Sequence, residues 1–213
     1  ENFYSSTYNF TLCNIKKKYS SGHNITNCTI ENLNTFLNVK IKKKDYSLDY
    51  LSKSVIAEAK RLLPNDNYIG FSITQGNVYR KKSWPIEKFI VLAKKIVEKN
   101  KIPVFFVEKK NISLVNKIKA EISNALFPEH NSKNPSPGLV TALATRLDKA
   151  VSIDNGIMHM IGLAKIPLVV LFGPTNSKKF APDNNNVKIL DSKEMYKSED
   201  ISKIGIEDVL KHI

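Results

Sequence analysis

Residues 149–182 read KAVSIDNGIMHMIGLAKIPLVVLFGPTNSKKFAP, and the order of their apolar runs and breaks decides the fold. AVSI stops at Asp154-Asn155-Gly156, IMHMIGLA carries helical spacing, and PLVVLF stops at Gly173-Pro174-Thr175. Short runs that are apolar on both faces and joined by a helix mark a right-handed crossover between buried parallel strands. Both breaks then fall at the carboxyl ends of strands, on one rim of the sheet.

The same alternation extends upstream. NYIGFSI (67–73) and IPVFFV (102–107) read as buried strands, and between them IEKFIVLAKKIVEKN (86–100) puts Phe89, Leu92, Ala93, Ile96 and Val97 on one helical face. ISLVNKIKAEI (112–122) and LVTALATRLDKA (139–150) are predicted helices separated by the proline-bearing loop SKNPSPG (132–138). Residues 45–64 place Leu51, Val55, Ala59 and Leu62 at helical spacing and end at Pro64, and the tail 201–213 supplies a last helix. The fold class is therefore α/β, a doubly wound, Rossmann-like parallel sheet. Residues 1–38, rich in Asn, Ser, Thr and Tyr, read as irregular. The expected organisation is an irregular or helical segment over 1–60, the remnant of an amino-terminal domain with an interdomain linker, and a ligand-binding domain over 61–213.

Composition narrows the class. A chain of 213 residues with 42% hydrophobic content builds a sizeable core, and its longest apolar run, IPLVVLF, falls well short of the roughly 18 residues of a membrane span. The two cysteines, Cys13 and Cys28, show neither CxxC spacing nor a companion pair, so a reduced, cytoplasmic setting is the default expectation. The net charge of +13 comes overwhelmingly from lysines spread along the chain, with Arg61, Arg80 and Arg146 the only guanidiniums. Base readout favours such bidentate forks, so a nucleic-acid partner is not expected. A solvated lysine surface is the plain reading, and a face apposed to anionic lipid headgroups is its alternative.

Three constellations carry chemistry. Asp154-Asn155-Gly156 opens a helix whose N–H groups face an incoming anion, although Asp154 is equally explained as the helix cap. Gly173-Pro174-Thr175 shares that rim, and a simple chain turn explains it on its own. His159, in the first helical turn, is disfavoured as a cation by the helix dipole and is suited to a phosphate or sugar hydroxyl; packing between Met158 and Met160 is the structural alternative. In TQGNVYRKKSWP (74–85), Lys82 is a point charge for phosphate, and a solvated basic loop is the alternative. GxxxxGK[ST] and GxGxxG are both absent, and no residues have ligand spacing to His159, so no metal site is expected.

Together these motifs resemble glycosyltransferase family nine, the heptosyltransferases of lipopolysaccharide core synthesis. The resemblance rests on Lys82-Ser83-Trp84-Pro85, on Asp154-Asn155-Gly156 with His159, and on Phe172-Gly173-Pro174-Thr175, and it extends over about residues 40–213. It implies the donor-binding half of a GT-B architecture, an inverting and metal-independent reaction, and an ADP-activated heptose as donor with no separate cofactor. The implied acceptor is a lipid-linked saccharide at the inner membrane face, with the protein peripheral there. Lys82 and Asp154 take the catalytic roles. The donor contacts fall on Gln75, Gly76, Asn77, Lys82, Glu108, Asp154, Asn155, Gly156, His159, Gly173, Pro174 and Thr175.

Two positions depart from the family pattern. Asn155 stands for its usual threonine, and Glu108 for a common glycine, where it either crowds the adenosine end or accepts from a ribose. The resemblance also assigns the acceptor site and the catalytic base to an amino-terminal domain. The chain is therefore expected to be a fragment or a partial reading frame, inactive in isolation. A non-catalytic nucleotide-sugar module and a transferase of a different sugar are the alternatives.

Overall fold

The computed structural model describes residues 20, 22, 24–41, 47–49, 51–76 and 78–213. Strands β1 (Tyr68–Ser72), β2 (Ile102–Phe106), β3 (Lys149–Ile153), β4 (Leu168–Phe172) and β5 (Val187–Asp191) form one parallel sheet in the order β2-β1-β3-β4-β5. The helices are α1 (Ile25–Leu37), α2 (Lys53–Leu62), α3 (Ile86–Glu98), α4 (Ile112–Glu121), α5 (Pro137–Ala144), α6 (Gly156–Leu163), α7 (Ser177–Phe180), α8 (Ser192–Tyr196) and α9 (Ile206–Leu210).

Successive strand residues point to opposite faces, and two cores follow. Ile69, Phe71, Phe105, Val151, Ile153, Val169 and Leu171 pack under α3, α4 and α9, where Phe71 and Phe105 stack at 5.0 Å. Tyr68, Val104, Phe106, Ala150, Leu168, Val170 and Phe172 pack under α2, α5 and α6. β1 and β4 are buried at every position, which is why they read as unbroken apolar runs.

Several elements differ from the sequence reading. α1 forms where irregular structure was expected: Asn24 caps it by accepting from the Thr26 N–H, and Asn38 ends it in the left-handed region at φ 54°. Its Asn and Thr content hides the helix because those residues favour caps and turns elsewhere. Asn24 also donates to Ala181 O at 2.9 Å, pinning the helix to the end of α7. α2 occupies the later part of the helix expected over 45–64 and buries Ala59 in the core under α5. α5 stops at Ala144, and residues 149–150, read as its end, begin β3. The tail is a 3₁₀ turn at Ile201–Lys203 followed by α9, not one helix.

The two outer strands end differently. Beyond β2, Phe105 donates to Leu126 O at 2.8 Å and Leu126 donates to Pro103 O at 2.9 Å, so a loop covers that edge. β5 was not recognised in the sequence because it exposes Lys188 and Ile189 and buries only Leu190 and Asp191.

Near the end of β2 the 3₁₀ turn Pro128–Asn131 carries Glu129, whose Oε2 is buried without a hydrogen-bond partner among the described residues. Burial, and then the neighbouring Glu108, raise its pKa from 4.5 to about 7. Adjacent His130 is engaged through Nε2 with Val107 O at 3.0 Å. Between those two pH values the folded chain holds a proton that the unfolded chain has lost, so stability falls as pH rises through this window. Glu129→Gln should therefore raise the melting temperature by about 2–4 °C at pH 8 and leave it almost unchanged at pH 4. Equal shifts at both pH values would contradict the assignment.

Candidate functional site

β1 leads to α3 on one face of the sheet and β3 leads to α6 on the other, so their following loops part between adjacent strands. Such a switch point leaves a crevice at the carboxyl ends of the strands, the usual ligand position in open α/β sheets. Asn155 ties its lips together: Nδ2 donates to Ser72 Oγ and to Thr74 O, both at 2.8 Å.

Asn155 also caps α6, its Oδ1 accepting from the Met158 N–H at 2.9 Å. The cap that was one of two explanations for Asp154 thus belongs to its neighbour, and the Asp154 carboxylate is released for other work. Its Oδ2 accepts from Lys82 Nζ at 2.8 Å and from Thr175 Oγ1 at 2.7 Å. Lys82 Nζ also donates to Asp154 O at 3.1 Å, and the Lys82 N–H donates to Gln75 Oε1 at 2.8 Å. The side chains of Lys82 and Asp154 are only 13% and 9% exposed, so this pair is poorly screened by solvent. Three segments far apart in sequence meet at a single carboxylate oxygen.

The surroundings hold Lys82 in place. Trp84 is buried and donates through Nε1 to Ile204 O at 3.0 Å, and its ring meets Phe89 edge-on at 4.8 Å. Just before Lys82 the backbone of Lys81 takes a left-handed φ of 46°, an uncommon conformation for a residue with a side chain. Arg80 and Lys81 are both exposed. Of the three basic residues, Lys82 alone points into the network.

The remaining predicted residues divide. Gln75 and Thr175 join the network, while Gly76 lies exposed on the same loop and Asn77 lies outside the described residues. A Cβ at Gly156 would meet nothing within 4 Å, so packing does not demand glycine at the start of α6. Gly173 is different: a Cβ there would come within 2.8 Å of Ile201 Cβ and 2.9 Å of Glu199 O, a packing reason that operates without any ligand. Pro174 follows on the rim, half-buried.

His159 is exposed, not packed between methionines. Desolvation of the packed side of its ring is the main influence lowering its pKa; Lys82 adds to the shift and Asp154 opposes it, so the imidazole is neutral at pH 7. Glu108 sits past the end of β2, where Oε2 accepts from Asn111 Nδ2 at 3.2 Å and lies 3.3 Å from Lys110 Nζ, outside the Lys82–Asp154 network. Lys193, absent from the sequence reading, donates from Nζ to Pro174 O at 3.1 Å and to Thr175 O at 2.7 Å. Its short helix carries no motif that could have flagged it.

A concavity of about 530 Å³ opens elsewhere, between α2 and residues 131–134, and none of the network residues lines it. The candidate site is instead the switch point, where fixed donors and charge converge. Among the described residues no three His, Cys, Asp or Glu side chains converge on a metal position, and no helix is long and apolar enough to cross a membrane.

The sequence model of glycosyltransferase family 9 (heptosyltransferase) matches residues 16–210. The glycosyl transferase family 9 structure from Veillonella parvula DSM 2008 is similar to this chain with a TM-score of 0.77 at 18% identity, over 92% of this chain and 60% of that one. E. coli heptosyltransferase WaaC with ADP gives 0.68 at 16% identity, over 93% and 58%. E. coli ADP-heptose lps heptosyltransferase II gives 0.62 at 19% identity, over 76% and 50%. No curated protein sequence matches the chain. The chain thus spans 50–60% of the length of these solved structures, and its sheet is one Rossmann-like half of their GT-B architecture. The match over residues 16–210 covers most of the sequence, the parallel sheet agrees with it, and the chain belongs to glycosyltransferase family 9.

Proposed function

We propose that residues 61–213 form the donor-binding half of an inverting, metal-independent glycosyltransferase that takes an ADP-activated heptose for transfer to a lipopolysaccharide core acceptor. The convergence of Lys82 and Thr175 on Asp154 Oδ2, at the switch point and beside the start of α6, is the observation that carries this reading. The two E. coli relatives, one solved with ADP and one named for ADP-heptose, support the choice of nucleotide.

In this reading the donor diphosphate lies between Lys82 and the first N–H groups of α6. Charge builds on the departing diphosphate as the glycosidic bond breaks, and fixed donors already in place stabilise it without reorganisation. Lys82 reaches the phosphate by sharing its ammonium with Asp154. Asp154 Oδ2 is held by an ion pair and a hydroxyl; its Oδ1 lies outside both bonds and is suited to accept from sugar hydroxyls. Neutral His159 lines the same pocket as a donor. The base that activates the acceptor hydroxyl is assigned to a facing amino-terminal domain, and the acceptor is a lipid-linked saccharide reached at the membrane surface.

Thermal shift against ADP, UDP, GDP and their sugars tests the donor class, since a ligand at a hundred times its Kd adds about 2.7 kcal/mol of stability. A response confined to ADP and ADP-heptose is expected. A UDP or GDP response would replace the donor, and ADP-heptose binding without transfer after an intact amino-terminal domain is added would favour a non-catalytic module.

Two substitutions test the roles. Lys82→Ala should weaken ADP binding by about 1.5–3 kcal/mol even at high salt, whereas Arg80→Ala and Lys81→Ala should each cost only tenths, lost as salt screens them. Equal, salt-sensitive losses in calorimetric titrations would remove the diphosphate from this loop. Asp154→Asn frees Lys82 from its counter-ion, so ADP affinity should hold or rise while ADP-heptose affinity falls; parallel losses of both ligands would argue against a sugar contact.

A further inference from the structure

The Gly173–Thr175 turn lies between the end of β4 and the start of α7 and is not part of either element. Two of its carbonyls, Pro174 O and Thr175 O, are taken by one half-buried ammonium, Lys193 Nζ. Among the described residues no carboxylate forms an ion pair with that ammonium, so its charge is directed onto the turn. The backbone of Lys193 is itself fixed. Asp191, buried at the end of β5, accepts from the Lys193 N–H through Oδ1 at 2.9 Å and from Ser177 Oγ through Oδ2 at 2.6 Å.

Thr175, whose carbonyl Lys193 holds, donates its hydroxyl to Asp154 Oδ2, the oxygen that Lys82 also occupies. If a diphosphate draws on the Lys82 ammonium, the Thr175 hydroxyl becomes the main restraint on the carboxylate. We propose that Lys193 is a positioning residue for the sugar end of the donor site: it fixes the Gly173–Thr175 turn so that the Thr175 hydroxyl keeps Asp154 oriented while Lys82 serves the phosphate. The inference rests on the donor-site reading above. It adds a role for β5 and α8, which that reading leaves unused.

The experiment compares ADP and ADP-heptose affinities, by calorimetry on the full chain, for the parent, Lys193→Met, Lys193→Arg, Thr175→Val and the Lys193→Met/Thr175→Val double variant. Methionine keeps the alkyl stem and removes the donors. Losing a charge-assisted restraint should lower ADP-heptose affinity about tenfold in Lys193→Met while ADP affinity stays within about twofold. Arginine should recover part of the loss. The double variant should be no weaker than Thr175→Val, because the lysine acts through the threonine. Equal losses for both ligands, or additive losses in the double variant, would overturn the proposal and leave Lys193 a general stabiliser or a direct ligand. Absence of ADP and ADP-heptose binding in the parent would instead sink the donor-site reading, and this inference with it.

Discussion

Right-handed crossovers force the chain leaving β1 and the chain leaving β3 onto opposite faces of the sheet, and nearly everything at the site follows from that parting. A crevice opens between two neighbouring strands whose own backbones are fully paired. Left alone, its lips would be two independent loops. Asn155 prevents this by capping α6 with its oxygen while its nitrogen holds Ser72 and Thr74 on the β1 side. Threonine could cap the helix but has no amide nitrogen with which to reach across.

The ion pair inside the crevice has to meet strict conditions merely to offset its own cost. Withdrawing an ammonium and a carboxylate from water costs several kcal/mol per ion after relaxation, and their attraction repays this only with good geometry and added hydrogen bonds. Both conditions are met here, since Asp154 also accepts from Thr175 and Lys82 also donates to a backbone carbonyl. The arrangement keeps a cation and an anion preset, a few ångströms apart, at a place where a charged ligand can redistribute their bonds.

Much of the architecture was legible because parallel strands buried on both faces leave apolar runs that polar patterning does not blur. β1 through β4 read correctly for that reason. β5 did not, since an edge strand of this sheet exposes Lys188 and Ile189, and α1 did not, since its asparagines and threonines resemble a loop. At the site, Lys82, Asp154, Asn155 and Thr175 meet in space, and of the two explanations open for Asp154 the helix cap goes to Asn155 instead, because adjacent Asp and Asn are both good caps and only the backbone decides between them. Gly173 reads as a ligand-approach glycine, and the packing adds a second demand for glycine there, since a Cβ would collide with Ile201 and Glu199. Lys193 was invisible: its partners are carbonyls, which leave no trace in the side-chain alphabet.

The unequal ends of the sheet bear on how copies of this molecule meet. A bare outer strand invites a second chain to continue the ladder, the first step of edge-to-edge aggregation. At β2 the Leu126 segment already occupies part of the ladder, so a newcomer would have to displace backbone bonds. At β5 the deterrent is Lys188, whose charge would be brought against that of its counterpart if two such edges paired antiparallel. One border is therefore closed by occupancy, whatever the solvent. The other, among the described residues, is guarded by charge, a repulsion that weakens as ionic strength rises.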